Sequence, residues 1–526
     1  MKHIAKISGT LVIIVSLLSG CTKKFEEINT DSNKVTADKY VAEYNLTRAQ
    51  LEFTGNSDFS FEVWRVNIIY CGMMMQQLAN TSWYAGDKYM QNDGWAASYF
   101  DVAFRDQVKY IVDLLQITKD NPNLSNLYHV GRIMKVMIFS RLSDIYGEIP
   151  YTEAGLGYYG RIFTPKYDRQ QDAYLDMLKE LEQAAQALDA SKARPGNGDL
   201  IYRGASDNIT KWKKLAYSLM LRLGMRLVKA DAASAKTWVE KAYTGGVMTS
   251  NDDNAYVLHD ATGGRTTVNR NSNILWGEWN ATGWDRSSNA KTDVFLSKTF
   301  IDFLKNNNDP RLSYMSLIRA NGNSTAALQI GMPNGYDQNG GAKDISNAPG
   351  YPGDITNYST IRGDVFLKLN GPTVLLTYAQ CELLLAEAAK RGWSVGAPAA
   401  THYNNGVTAA MKQIIQYDAG AVIPDASITT YLAAHPYVDA TGYEQINTQY
   451  WAACFLDWYE AWSNWRRSGF PVLTPVNYTG NATGGQIPRR MLYPSSEASA
   501  NGANYAEAIS RQGANTFLTR IWWDKP

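Results

Sequence analysis

The chain has 526 residues, of which 45% are hydrophobic and 19% are charged, the balance of a folded globular protein rather than a disordered one. Its net charge of +1 gives no general attraction to nucleic acid, so a nucleic-acid partner is not expected. Tyrosine and tryptophan are abundant, with 33 and 15 copies. Both combine an apolar ring with a hydrogen-bonding tip, which suits binding clefts as well as cores.

The N-terminal segment predicts a lipid anchor. Lys2 and Lys6 precede an apolar run that is too short for a comfortable membrane span and ends in Leu-Ser-Gly before Cys21. This is the pattern of a bacterial lipoprotein signal, in which residues 1–20 are removed and Cys21 carries acyl chains such as palmitate. The alternative is an ordinary secretory peptide with a chance cysteine. The next residues, TKKFEEINTDSNK, form a polar tether, and no break in composition divides the remainder, which predicts a single domain over residues 21–526.

The segment NTSWYAGDKYMQNDGW, residues 80–95, places aromatic rings among polar side chains without helical or strand periodicity. A sugar ring has apolar C–H faces and a rim of hydroxyl groups, so it favours a flat aromatic platform with amide, carboxylate or guanidinium neighbours. Trp83, Tyr84 and Trp95 are therefore candidate ligand contacts. The alternative is that these rings pin a long loop to the body of the protein.

Helical periodicity dominates much of the remaining chain. Apolar residues recur at steps of three and four in residues 128–147, 168–188, 209–228 and 373–392, the pattern of amphipathic helices. Several helices follow one another across loops, which favours helix-hairpin packing of the tetratricopeptide kind, although no strict repeat is present. We predict a mainly α fold, in which tetratricopeptide-like helix pairs form a scaffold for long irregular ligand-binding loops.

Long loops rich in Gly, Asn, Asp and Ser cover about 250–293, 319–365 and 471–505, and their aromatic residues indicate ordered loops packed on the helices. The first contains a second candidate ligand cluster, in the segment NILWGEWNATGWDRSSN. Its candidate contacts are Trp279, Trp284, Asp285 and Arg286. The same loop begins with NDDN at 251–254, which could bind Ca²⁺ but lacks the alternating acidic spacing, so no cofactor or metal is predicted.

The densest aromatic stretch is WAACFLDWYEAWSNWRRSGF, residues 451–470. Its large rings recur at steps of four and three, which predicts one continuous helix face buried in the core. Arg466 and Arg467 at the helix end suit the helix dipole and are expected to bind loop carbonyls or carboxylates. Glu382 and Glu387, in the helix predicted over 373–392, are interpreted as surface charges.

The cysteines and carboxylates provide no reactive centre. Cys71, Cys381 and Cys454 are widely spaced and lie in predicted helices, so each is expected to be a small buried hydrophobe, with the pairing state left open. A glycosidase needs two carboxylates at a defined separation, and no pair is marked by its surroundings. The chain is therefore predicted not to be an enzyme.

Several segments together resemble the SusD/RagB family of surface lipoproteins. They are Cys21 with FEEINTDSNKVT, RLSDIYGEIPYTEA at 141–154, FTPKYDRQQDAYLDMLKELEQA at 163–184, NNNDPRL at 306–312, LLTYAQCELLLAEAAKRGW at 375–393, WSNWRRSGFPVL and IPRRMLYPSSE. The resemblance spans nearly the whole chain. It implies a lipid anchor in the outer membrane facing the cell exterior, and capture of oligosaccharides for a SusC-like TonB-dependent transporter.

The resemblance leaves the ligand open. Known glycan-binding members use an arc of loop aromatics, and the segments around Trp83–Trp95 and Trp276–Arg286 resemble that arc. Some relatives bind peptides, which would rely on main-chain donors and a charged cleft. A surface glycoside hydrolase is the third possibility, and it would require a carboxylate pair that the sequence does not reveal.

Overall fold

Helices make up most of the part of the chain that the structure, a computed structural model, describes: residues 40–57, 61–82, 85–275 and 294–526. The four periodic segments all contain long helices, as predicted. The α-helices are α1 (Glu43–Phe53), α2 (Asp93–Val102), α3 (Lys109–Thr118), α4 (Ser125–Tyr146), α5 (Gly157–Gly160), α6 (Gln170–Ala187), α7 (Asn208–Arg226), α8 (Ala232–Gly245), α9 (Arg270–Asn273), α10 (Lys298–Asn306), α11 (Leu312–Met315), α12 (Gly363–Phe366), α13 (Tyr378–Lys390), α14 (Ala399–Lys412), α15 (Asp425–Ala434), α16 (Gly442–Ala453), α17 (Trp458–Ser468), α18 (Glu497–Ala500) and α19 (Gly502–Gln512). Two π-helical segments, Val63–Gly72 and Ala103–Val108, flank α2.

The strands are short and pair two by two. They are β1 (Leu78–Ala79), β2 (Ile149–Pro150), β3 (Tyr167–Asp168), β4 (Ala255–Leu258), β5 (Phe295–Leu296), β6 (Ser316–Ile318), β7 (Ser359–Ile361) and β8 (Pro372–Leu376). Each pairing is antiparallel: β1 with β5, β2 with β3, β4 with β8 and β6 with β7. Since a two-stranded ribbon has little stability of its own, these pairs hold loops to the helical body.

Neighbouring helices pack in series. α3 contacts α4, α4 contacts α6, α6 contacts α7 and α7 contacts α8, and the series continues through α13, which packs against α14 and α16. At Gly406 on α14, a Cβ atom would lie 2.7 Å from Cγ of Leu383 on α13, so glycine permits the close approach of these two helices. This arrangement confirms the prediction of a mainly α fold with tetratricopeptide-like helix pairs.

An ion network joins several helices inside the core. Arg226 of α7 contacts Asp144 of α4 at 3.3 Å and Glu460 of α17 at 2.5 Å. The hydroxyl group of Tyr450 in α16 donates to Glu460 at 2.7 Å. Trp523, near the end of the chain, donates its indole N–H to Asp144 at 3.1 Å. Because an unpaired buried charge is costly, this network fixes the relative positions of the helices that contribute to it.

The tryptophan-rich stretch lies in the core, as predicted, but it does not form one helix. α16 ends at Ala453 and α17 begins at Trp458. Between them Leu456 has a φ angle of 74°, in the left-handed region, which an α-helix cannot include. The five large rings are all buried: Trp451, Phe455, Trp458, Trp462 and Trp465. The prediction of burial is therefore confirmed, and that of a continuous helix is wrong.

The interpretation of Glu382 and Glu387 as surface charges is also wrong. Glu387 is 1% exposed and accepts two hydrogen bonds from Arg467, at 2.8 and 2.7 Å. Glu382 is 7% exposed and lies 2.7 Å from Nδ1 of His402 on α14. The expected partners of the arginine pair are confirmed, since Arg466 donates to the carbonyl oxygen of Arg489 at 2.9 Å.

The described cysteine thiols lie in the protein interior. Cys71, Cys381 and Cys454 are free and buried, as expected for small hydrophobes, and burial raises the pKa of Cys381 to about 12. Residues Glu43–Pro526 form one compact unit. None of the helices in the described residues is long and apolar enough to cross a membrane.

Candidate functional site

The two predicted ligand loops are attached to the same small ribbon. Leu78 of β1 pairs with Leu296 of β5, and Ala79 pairs with Phe295. The chain leaves β1 after Ala79 toward Trp83 and Tyr84, and it enters β5 at Phe295 from the loop that carries Trp279 and Trp284. Because the strands are antiparallel, the end of β1 and the beginning of β5 are adjacent. The structure thus brings together the attachment points of two loops that are far apart in the sequence.

Most of the predicted contacts themselves lie outside the described residues. These are Cys21, Trp83, Tyr84, Trp279, Trp284, Asp285 and Arg286. Their roles as ligand contacts, or as the lipid site in the case of Cys21, stay predictions. The described residues show instead what holds the bases of the two loops.

Asn334 clamps the ribbon from a third segment. Its side-chain amide donates to the carbonyl oxygen of Leu78 at 2.8 Å and accepts from the hydroxyl group of Ser297 at 2.6 Å. The backbone N–H of Ser297 donates to the carbonyl oxygen of Gln77 at 3.0 Å. The N–H of Met332 donates to the carbonyl oxygen of Leu296 at 2.9 Å. Residues 332–334 therefore lock the ribbon where both loops begin.

A buried ion pair closes the loop that carries Trp83 and Tyr84. Lys88 is 2% exposed, and its ammonium group donates to the carbonyl oxygen of Asn80 at 2.8 Å and to Asp87 at 3.2 Å. The other carboxylate oxygen of Asp87 accepts from the N–H of Gly335 at 3.0 Å. Because Asn80 and Lys88 lie on either side of the two aromatic residues, their contact holds both ends of this loop.

Glycine is required at the turn that follows. Gly86 begins the 3₁₀ turn Gly86–Lys88. A Cβ atom at this position would lie 1.7 Å from the carbonyl oxygen of Ile69, in the π-helical segment. No side chain fits there without moving the backbone, so the close approach of this turn to the helical body depends on glycine.

Three tyrosines lie beside the ribbon, and we refer to Tyr336, Tyr351 and Tyr358 as the tyrosine wall. Ala79 and Phe295 share a small core with Met332, Ile345, Ala348 and Tyr358, and the half-buried rings of Tyr336 and Tyr351 pack against that core. The hydroxyl group of Tyr358 is buried without a hydrogen-bond partner in the described residues. Half-buried tyrosines present an apolar face and a polar tip together, which is what a sugar ring requires.

Tyr478 adds a further ring from the loop over 471–505. Its ring lies 5.8 Å from the ammonium group of Lys88, and its hydroxyl group donates to Asp337. That hydrogen bond, together with burial, raises the pKa of Tyr478 to about 12, so the phenol stays protonated at neutral pH. Gln338 donates to the hydroxyl group of Thr81 at 2.8 Å and thereby ties the same wall to the first ligand loop.

A cleft of about 370 Å³ opens next to the clamp. Its lining includes Gln76, Asp302, Asn334, Tyr336, Lys343 and Asn477. The Lys343 ammonium group is 5.7 Å from the ring of Tyr336. Amide, carboxylate, ammonium and aromatic groups thus surround one opening, a combination that can hydrogen-bond sugar hydroxyls and stack on a ring face. Sequence reasoning missed these residues, although its prediction of packed loops holds for the described loops over 319–365 and 471–505.

Trp95 is the predicted contact that the structure does describe. It lies in the first turn of α2, where the side chain of Asn92 accepts a hydrogen bond from its backbone N–H at 3.0 Å. The guanidinium carbon of Arg65 is 4.6 Å from the Trp95 ring, 3.7 Å from Trp64 and 4.3 Å from Phe61. Trp95 thus takes part in an aromatic cage around a cation, and its role as a ligand contact stays a prediction.

The acidic groups that sequence reasoning singled out have structural partners. In NDDN, Asp253 accepts from the Lys214 ammonium group at 2.7 Å and caps the turn that begins at Ser250. Among interior carboxyls, burial raises the pKa of Glu62 to about 7 and that of Asp457 to about 6. Asp457 borders a cavity of about 30 Å³, which holds little more than one water molecule and leaves no room for a sugar.

Comparisons with known proteins agree with this architecture. The sequence profile of a SusD-like family, described as "Starch-binding associating with outer membrane", matches residues 37–494. No curated protein matches the chain. A solved structure named a chitin-binding protein is 33% identical, with a TM-score of 0.79, over 92% of this chain and all of that one.

Two further solved structures extend the likeness. One named "Bacteroidetes AC2a SusD-like" is 26% identical, with a TM-score of 0.79, over 93% of this chain and 100% of that one. A chitin-binding SusD homologue from Flavobacterium johnsoniae is 23% identical, with a TM-score of 0.74, over 92% of this chain and 99% of that one, and this likeness concerns the fold alone. The profile covers most of the chain, the first structure exceeds 30% identity, and the helical scaffold agrees. The chain belongs to the SusD-like family.

Proposed function

We propose that this protein binds oligosaccharides on the loops that meet at the β1–β5 ribbon and delivers them to a SusC-like TonB-dependent transporter in the outer membrane. The observation that carries the proposal is the convergence of the two aromatic loops on adjacent strand ends, Ala79 and Phe295. Aromatic residues from separate parts of the chain can thereby form one platform, flanked by the tyrosine wall and the polar cleft.

The first ligand class to test is oligosaccharides of N-acetylglucosamine. The support is the 33% identical relative that is named a chitin-binding protein. The cleft beside the ribbon supplies polar groups for acetamido and hydroxyl contacts, such as the amide of Asn477 and the ammonium group of Lys343. Affinity from a few stacked rings and hydrogen bonds is modest, which suits a protein that must release its ligand to a partner.

The anchored location and the binding role complete the proposal. The lipoprotein pattern ending at Cys21 and the family's description of association with the outer membrane support a lipid-anchored protein that faces the cell exterior. We place the protein among binding proteins rather than enzymes because the named relatives are binding proteins. Detergent extraction followed by affinity purification should recover an outer-membrane barrel; recovery of the monomer alone in every mild detergent would contradict the partner.

Calorimetric titration with chitotetraose tests the site. Trp83→Ala and Trp284→Ala should each weaken binding by about 5- to 150-fold, by analogy with stacking energies of about 1–3 kcal/mol per ring. Tyr158→Ala is the matched control, because Tyr158 is 89% exposed and lies on α5, where the neighbouring Tyr159 donates a hydrogen bond to Asp113 of α3. Unchanged affinity in both tryptophan variants would remove these residues from the site.

Two further outcomes would change the function itself. Peptides identified by mass spectrometry in the purified protein, without any bound sugar, would favour the peptide-binding alternative. Release of reducing ends from chitin oligosaccharides by the pure protein, abolished by one Asp or Glu substitution, would show an enzyme. We expect neither, and we expect the intact tetrasaccharide to be recovered after incubation.

A further inference from the structure

A second open groove lies away from the loop ribbon, between the beginning of α6 and the C-terminal segment. Its volume is about 570 Å³, which is large enough for one or two sugar rings of an oligosaccharide whose remaining part extends into solvent. The side chains that matter for its chemistry are Arg169, Gln171, Arg511, Arg520, Trp522 and Lys525. The family profile ends at residue 494, so the wall formed by residues 511–525 lies beyond the matched segment.

The two acidic side chains in this groove are already neutralised. Glu148 accepts from Arg511 at 2.9 and 2.7 Å. Asp524 is paired with Arg520 at 2.6 Å and with Arg489 at 3.3 Å. Burial raises the pKa of Glu148, and the adjacent arginine opposes this rise only in part. The carboxylates therefore contribute little net negative charge to the opening.

Two cations in the groove have no such partner. The side chains of Arg169 and Lys525 are exposed, and within the described ranges no carboxylate of another side chain lies within ion-pair distance of either one. The charge of Arg169 also opposes the rise in the pKa of Glu148, so this arginine lies near that carboxyl. Four cationic side chains and two carboxylate side chains line the opening, so its side chains carry an excess of positive charge and N–H donors that can bind an anion.

Trp522 supplies a fixed aromatic face in the same opening. Its backbone N–H donates to the side-chain oxygen of Gln170 at 2.8 Å, and its ring packs against Tyr174 with the centroids 6.3 Å apart. The ring is half-exposed, and in the described part of the chain its indole N–H has no acceptor. A half-wet indole with a spare donor can stack on a sugar ring and hydrogen-bond one of its hydroxyls.

We propose that this groove is a binding site for an acidic saccharide, a sugar that bears a carboxylate or sulfate group. The acid group contacts Arg169 and Lys525, and the ring lies on Trp522. A neutral sugar would leave both cations unused, whereas a small inorganic anion would leave the indole unused. The combination of the three side chains therefore selects an anion attached to a ring.

Titration with trigalacturonate at pH 7 and low salt tests the site. Wild type should bind this probe at least about tenfold more tightly than its methyl-ester form, which is neutral. The double variant Arg169→Gln/Lys525→Gln should lose at least about tenfold in affinity, equivalent to about 1.4 kcal/mol. Trp522→Ala should weaken binding as well, with thermal melting used to verify that this variant folds.

Lys192→Gln provides the matched control. It removes one exposed positive charge beyond the C-terminal end of α6, whereas the groove lies at its N-terminal end. An 18-residue helix is about 27 Å long, so this charge is remote from the groove. The control variant should bind trigalacturonate as wild type does.

Four results would overturn the proposal: no binding of trigalacturonate, equal binding of the methyl ester, unchanged binding in the double variant, or competition by inorganic sulfate at equal affinity. Loss of trigalacturonate binding in Trp83→Ala and Trp284→Ala would assign the ligand to the ribbon loops and would also refute a separate site. Failure of chitotetraose to bind, by contrast, would contradict the proposed function and leave this groove unaffected.

Discussion

Replacing Glu387 by glutamine should destabilise the fold more than any comparable change at a surface glutamate. The side chain is 1% exposed and is held by Arg467 at 2.8 and 2.7 Å and by Arg391 at 2.7 Å. Burial acts to raise its pKa, but the two arginines outweigh burial and lower the pKa from 4.5 to about 2. That difference corresponds to about 3 kcal/mol, at the lower end of the roughly 3–5 kcal/mol lost when one partner of a buried ion pair is removed.

Thermal unfolding measures this loss at pH 7. For a unit as large as Glu43–Pro526, a loss of about 3 kcal/mol lowers Tm by about 3 °C, because the entropy of unfolding grows with chain length. Glu507→Gln is the control. Glu507 is 64% exposed and pairs with Arg511 one turn along α19, a contact worth less than about 1 kcal/mol. Equal melting temperatures for the two variants would refute the reasoning.

The same contact gives a pH dependence with a definite sign. Since the pKa of Glu387 is lower in the folded state, the carboxylate contributes its full stability above pH 4.5 and loses it as the pH falls toward 2. The gap in Tm between wild type and Glu387→Gln should therefore narrow over this interval. A gap that is constant from pH 7 to pH 3 would show that packing, rather than charge, accounts for the loss.

Two other predictions concern the loop base and the thiols. Gly86→Ala should lower both Tm and chitotetraose affinity, because its Cβ atom would meet the carbonyl oxygen of Ile69. Gly502→Ala is the control and should change neither, because the space around Gly502 is open. Equal affinity in both variants would contradict the role of the turn. In the chain expressed from residue 22, a disulfide-exchange reagent should leave the buried thiols unmodified until urea unfolds the protein, and rapid labelling under native conditions would contradict their burial. These thiols are Cys71, Cys381 and Cys454.

Helix positions could be predicted from the sequence because each long helix buries one stripe of its surface. In α6, for example, Leu178, Leu181 and Ala185 recur at helical spacing, and all three are buried. The same reasoning failed across residues 454–457. The large rings keep their spacing through the break at Leu456, so periodicity alone cannot detect it.

Glu387 shows a second limit of sequence reasoning. A glutamate in a helix normally faces solvent, and nothing near position 387 marks this one as buried. The partner that makes burial possible, Arg467, is 80 positions further along the chain. The sequence contains both residues, but only the packing of α13 against α16, and of α16 against α17, reveals that they meet.

The sequence predicted the residue types of the candidate site, which stay predictions, and it could not predict how the bases of the two loops are assembled. Aromatic residues without periodicity indicated binding loops around Trp83 and Trp284. β1 and β5 have two residues each, which is too short for a strand pattern to be recognised. The clamp at Asn334 and the tyrosine wall come from loops that differ in no obvious way from ordinary connections, so their role follows only from their contacts.

The contacts that fix the β1–β5 ribbon allow the ligand specificity of the protein to vary without a change in its scaffold. Two strands of two residues contribute little stability, so the positions of the two loop bases depend on Asn334, the buried pair of Asp87 and Lys88, and the small core around Phe295. None of these groups needs to touch the ligand. The loops beyond Ala79 and before Phe295 can therefore change length and aromatic content while their bases stay fixed on the helical scaffold. Exchanging residues 81–84 or 276–293 with those of a relative should therefore transfer ligand preference with little decrease in Tm. Asn334→Ala, by contrast, should lower Tm and reduce the affinity for every ligand to the same extent.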